Sequence, residues 1–79
     1  MLFRSLKQAN YITDAVIELE RVVASYPNET RAHLALGNLY AQQFHQPARA
    51  RQHYLKVLEV EPRHPQASEI RYWLAANPP

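Results

Sequence analysis

An offset of 35 residues brings this chain into register with itself. Gln8 then aligns with Gln43, Ala15 with Ala50, Val22 with Val57, Pro27 with Pro62, Ala32 with Ala67 and Leu39 with Leu74. Leu19 and Tyr54, Val23 and Leu58, and Arg21 and Lys56 match in character. Apolar positions fall on apolar positions and proline on proline, so a segment that buries one face and then stops occurs twice. A unit of this kind cannot bury its apolar face alone, and copies of it stack. That narrows the fold before composition is weighed.

Composition then selects helices. The chain has 79 residues, one glycine (Gly37) and six prolines. Hairpins usually need more turn glycines than one. Alanine, leucine, glutamate, glutamine and arginine, all good helix formers, dominate. The prolines punctuate segments of helical length. The spacing predicts five helices. The first spans about Leu2–Ala9, with Leu2, Phe3 and Leu6 on one face. The second spans about Thr13–Tyr26, capped by Thr13, with Asp14 and Glu18 near its positive end. Its stripe is Ala15, Val16, Leu19, Val22 and Val23. The third spans about Thr30–Phe44, capped by Asn28 or Thr30. The fourth runs from Pro47 to about Val60 on a stripe of Ala50, Tyr54, Val57 and Leu58. The fifth spans about Pro65–Ala76 with Ala67, Ile70 and Leu74 inward, leaving Trp73 at a rim.

Within the better copy the spacing is His33-x-x-Leu36-Gly37-x-x-Tyr40, then Ala50-x-x-x-Tyr54, then Pro62. Leu36 and Tyr40 share a face four residues apart. Gly37 lets a second backbone approach, and Ala50 is expected to be the residue that does so. Pro62 ends the second helix of the pair. This resembles the tetratricopeptide repeat. His33 stands where that family usually has tryptophan, and Tyr54 where it often has phenylalanine. Tyr40 and Ala50 lie one residue further apart than in the usual repeat of about 34 residues, with the extra residue in the loop Phe44–Pro47. The resemblance spans nearly the whole chain. It implies an all-α fold: antiparallel helix pairs stacked as a short right-handed α-solenoid with a C-terminal capping helix. The expected divisions of this single domain are residues 1–29 as a truncated first repeat, 30–64 as a complete repeat and 65–79 as capping helix and tail.

In function, the resemblance implies a non-catalytic scaffold that binds a peptide or helix of a partner protein on a concave groove. The matching groove positions are Arg31, Leu34, Asn38, Ala41 and Gln42 on the third helix, and Gln66, Glu69 and Trp73 on the fifth. The carboxylate clamp of some chaperone adaptors is not matched, because only Arg31 and Asn38 could belong to it. A self-assembly unit, or a piece of a longer array, is the alternative. A homodimer through residues 1–26 is expected, because the first repeat lacks most of its leading helix. A nucleic-acid-binding helical domain ranks last.

The remaining readings are mostly exclusions. A net charge of +2 carries no strong nucleic-acid signal. The basic stretch Arg49, Arg51, His53 and Lys56 is expected to face acids of the repeat-equivalent helix, Asp14 against Arg49 and Glu18 against His53. No stretch approaches the roughly 20 apolar residues of a membrane span, and no secretory leader is expected from the opening residues. A cytoplasmic location is expected. His33, His45, His53 and His64 have no mutual spacing of four, and there is no cysteine, so no metal and no cofactor is expected. His33 reads as a packing residue. No nucleophile, base and orienting acid form a recognisable motif, so no catalytic residue is expected and the chain does not read as an enzyme.

Overall fold

A computed structural model describes residues 2–79, with side chains described from Tyr11 onward. Four helices make up the architecture: α1 (Leu2–Ser25), α2 (Thr30–Gln42), α3 (Pro47–Val60) and α4 (Ala67–Ala76). No strand occurs among the described residues, in agreement with the all-α expectation. Main-chain packing runs from neighbour to neighbour: α1 on α2, α2 most extensively on α3, and α3 on α4.

The largest departure from expectation lies at the start. The first two predicted helices are one continuous helix of 24 residues. Residues 10–13, Asn-Tyr-Ile-Thr, contain neither proline nor glycine, so nothing interrupts the helical hydrogen bonds. An isolated helix of about two turns is also costly to nucleate, and extending an existing helix is not. Thr13 therefore sits inside α1 rather than capping a new helix. The expected apolar face of Leu2, Phe3 and Leu6 lies outside the described side chains.

The other boundaries shift by a few residues. Helix α2 is capped by Glu29, whose carboxylate accepts from the Arg31 N–H at 3.4 Å, and not by Asn28 or Thr30. Thr30 is already helical, and its hydroxyl donates to Glu61 just past the end of α3. Helix α2 stops at Gln42, two residues early. Phe44 N–H donates back to Leu39 O at 3.1 Å and Gln46 N–H to Tyr40 O at 2.8 Å, wrapping the loop onto the last helical turn. His45 takes a left-handed φ of 51° in this loop, where the sequence places its extra residue. Helix α3 has the predicted bounds, with Pro47 in its first turn. Helix α4 begins at Ala67 rather than Pro65, because Pro65 and Gln66 form a turn held by the Gln66 N–H donating to His64 Nδ1 at 3.0 Å.

The core is the seam between α2 and α3, closed at one end by α4. Leu36, Tyr40, Ala50, Tyr54, Val57 and Ile70 form one buried cluster, with Leu36 and Val57 wholly inaccessible. Val16, Leu19 and Val23 of α1 pack against it half-buried, as do Leu58, Trp73 and Leu74. The α1 stripe is less buried than the α3 stripe because α1 has a described neighbour on one side only. Gly37 has a role, but with a different partner from the one expected. A Cβ at position 37 would lie 2.6 Å from Tyr54 Cε1, so Tyr54, not Ala50, fills the space that glycine leaves.

A cleft between α2 and α4 as the candidate functional site

Two places on this scaffold gather polar and aromatic side chains. The first is a cleft of about 300 Å³ between α2 and α4. One turn apart on α2, Leu34, Asn38 and Gln42 line one wall. Gln66, Glu69, Ile70 and Trp73 line the other, at the spacings that put them on one helix face. Tyr54 of α3 forms the floor. Its ring meets Trp73 edge-on, with centroids 5.0 Å apart at 66°. Its hydroxyl donates to Asn38 Oδ1 at 2.6 Å. Burial raises the Tyr54 pKa, so the hydroxyl stays a donor.

Of the eight residues expected in a groove, six therefore converge: Leu34, Asn38, Gln42, Gln66, Glu69 and Trp73. Arg31 and Ala41 do not line the cleft. Arg31 is exposed, with Nε 3.4 Å from Glu29 Oε1, and Ala41 packs beside the core. Tyr54 and Ile70 join the cleft although the sequence assigned them to the core. Both serve twice, since each is buried and each presents an edge to the cleft. Trp73 is half-buried at the rim as expected, and neighbouring Tyr72 is 80% exposed.

The second place joins α1, α2 and α3. Tyr40 Oη donates to Glu20 Oε2 at 2.5 Å. His53 stacks on the Tyr40 ring with centroids 5.8 Å apart at 11°, and its Nε2 lies 4.0 Å from the same Glu20 oxygen. Its Nδ1 meets His33 Nδ1 at 2.9 Å, while His33 Nε2 lies 2.7 Å from Pro27 O. A carbonyl only accepts, so His33 carries its proton on Nε2 and, when neutral, accepts at Nδ1. The His53 proton consequently sits on Nδ1 and points at His33. Burial lowers the His53 pKa; Glu20 opposes this, and His33 and Arg49 reinforce it. Burial also raises the Tyr40 pKa, helped by its hydrogen bond to Glu20.

This network corrects the expected charge pairs. Glu18 pairs with Arg21 on its own helix at 3.2 Å. Arg49 lies over the Tyr40 ring, 5.6 Å from its centroid. Lys56 bonds Glu59 one turn on at 2.6 Å. Glu20, which the repeat alignment did not mark, is the acid that reaches His53. The reason is that α1 packs on α2, so the repeat-equivalent helices α1 and α3 are not main-chain neighbours. His33 is buried as expected, but it is a hydrogen-bonded link as well as a packing residue.

Among the described residues no group of three or more His, Cys, Asp or Glu is arranged to hold a metal ion. No described helix is long and apolar enough to cross a membrane. No family model, curated protein or solved structure matches the chain.

Proposed function

We propose that this chain is a non-catalytic protein-interaction scaffold of the tetratricopeptide-like kind, which holds a peptide segment of a partner protein in the cleft between α2 and α4. One observation carries the reading: six residues that the resemblance singled out, on α2 and on α4 with its N-terminal cap, line the same cleft. Amide side chains with a Trp–Tyr pair suit a peptide, whose backbone needs donors and acceptors and whose side chains need apolar walls. Selection of displayed random peptides on the immobilised chain tests it. Enriched peptides should shift the backbone amide resonances of Leu34, Asn38, Gln66 and Trp73, and Leu34→Glu should abolish their binding while leaving the helical spectrum intact. Failure to enrich any peptide, or shifts confined to the opposite face, would remove the reading.

A second reading is self-assembly through residues 1–26. It draws support from Tyr11 and Ile17 of α1, which are 75% and 46% exposed. Light scattering over a dilution series tests it: a dimer mass that falls on dilution is expected, and a monomer mass at high micromolar concentration rejects it.

A further inference from the structure

We infer that the cleft between α2 and α4 selects a peptide bearing a basic side chain, lysine or arginine, with its charged head at Glu69 and its stem along Trp73. This rests on the peptide-binding reading above and adds the chemistry of the ligand.

The argument begins with charge. Glu69 is the one charged side chain on the cleft lining. It is exposed and makes no ion pair with any described residue. It stands in the first turn of α4, whose positive end amounts to roughly half a charge. A full carboxylate outweighs that, so this wall of the cleft is negative on balance. The other polar groups, Asn38, Gln42 and Gln66, are neutral amides and cannot offset it. The chain as a whole carries a net positive charge, so the cleft differs in sign from the overall balance.

Shape points the same way. Trp73 follows Glu69 by four residues, so indole and carboxylate lie on one face of α4. An aromatic face beside an acid suits a long aliphatic stem ending in a cation, which gains both the cation–π attraction and the ion pair. A cleft of about 300 Å³ is at the small end for ligand sites, which fits one long side chain with its flanking backbone rather than a whole helix. Asn38 completes the site. Its Oδ1 is occupied by the Tyr54 hydroxyl, which leaves the Nδ2 hydrogens, without a hydrogen-bond partner among the described residues, to donate to a peptide carbonyl.

Trp73 is the only tryptophan in the chain, so its fluorescence reports on the cleft. The probes are three end-blocked alanine pentapeptides with arginine, glutamine or glutamate at the centre, titrated to tens of millimolar at low salt. The arginine peptide is expected to perturb Trp73 emission and to bind at least about fivefold tighter than the glutamine peptide, with the glutamate peptide weakest. Glu69→Gln should bring the arginine peptide down to the affinity of the glutamine peptide, leaving the glutamine peptide unchanged. Equal binding of the arginine and glutamine peptides, or a preference that survives Glu69→Gln, would overturn the cation site while leaving the peptide cleft standing. No response to any of the three would overturn both.

Discussion

The Tyr54 ring occupies the space where a side chain at position 37 would begin: an ideal Cβ on Gly37 would lie 2.6 Å from Cε1 and 2.7 Å from Cδ1. The contact holds α3 against α2 at the centre of the core, and Tyr54 goes on from there to the Asn38 side chain and the cleft. Gly37→Ala is therefore expected to destabilise the fold, although alanine is the better helix former by about 1 kcal/mol. Overpacking costs about 1–3 kcal/mol and wins or draws, and Gly37→Leu should cost more. Chemical denaturation measures both. If Gly37→Ala raises the midpoint, the ring is not confined as described. Combining Gly37→Ala with Tyr54→Ala should cost less than the sum of the two, because the second change removes the obstruction.

Beside the apolar packing of Val16, Leu19 and Val23, the Tyr40–Glu20 hydrogen bond ties α1 to α2. Tyr40→Phe should cost about 1–2 kcal/mol, toward the lower end for a bond to a charged acceptor because Glu20 is only half-buried. Glu20→Ala should cost a similar amount. A double-mutant cycle between the two should show coupling, and simple additivity would mean that the bond contributes nothing in solution.

Stability should fall as pH drops below about 6.5, the ordinary histidine value. The His53 pKa is lowered in the fold, chiefly by burial, so below 6.5 the unfolded chain takes up a proton that the folded chain refuses. The contribution is complete above the unfolded pKa and is lost as pH falls through the folded one. Glu20 favours the protonated ring, His33 and Arg49 oppose it, and stacked Tyr40 stays neutral. Thermal melts between pH 5 and 8 measure the slope, the window in which unperturbed histidine titrates. His53→Gln should flatten it in the part due to this residue, and an unchanged slope would place the titration elsewhere.

Charge reversal at Asp14 and Arg49 should be additive. Asp14→Arg and Arg49→Asp separate groups that do not meet, since Arg49 lies on the Tyr40 ring. Compensation between them at low salt would mean that α1 and α3 come closer than they do here.

Helix type, the stops before Pro27 and Pro62 and the start at Pro47 were legible in the sequence, because they rest on local properties. A proline is excluded from a helix interior but suits its first turn whatever surrounds it, and an apolar stripe at helical spacing needs a buried side. The α3 stripe illustrates this: Ala50, Tyr54 and Val57 are all buried. The break predicted near residue 10 had only a weak local cause. It rested on Thr13 as a cap, and a threonine also fits inside a helix; the chain has no proline or glycine there that would turn it.

Six cleft residues were readable only through the resemblance to a repeat family, which marks the helix positions that line a groove; helical spacing then keeps those on one helix on one face. What the sequence by itself determined is which faces are apolar and where each helix ends. Which faces meet was decided only in three dimensions. Gly37 could have admitted any neighbour, and the packing of α2 on α3 gave the space to Tyr54. Glu20 and His53 carry no mutual signal at their separation along the chain, and they come together because α1 lies on α2 with His53 reaching across. Long-range pairing depends on the relative placement of rigid helices, which single-residue propensities do not encode.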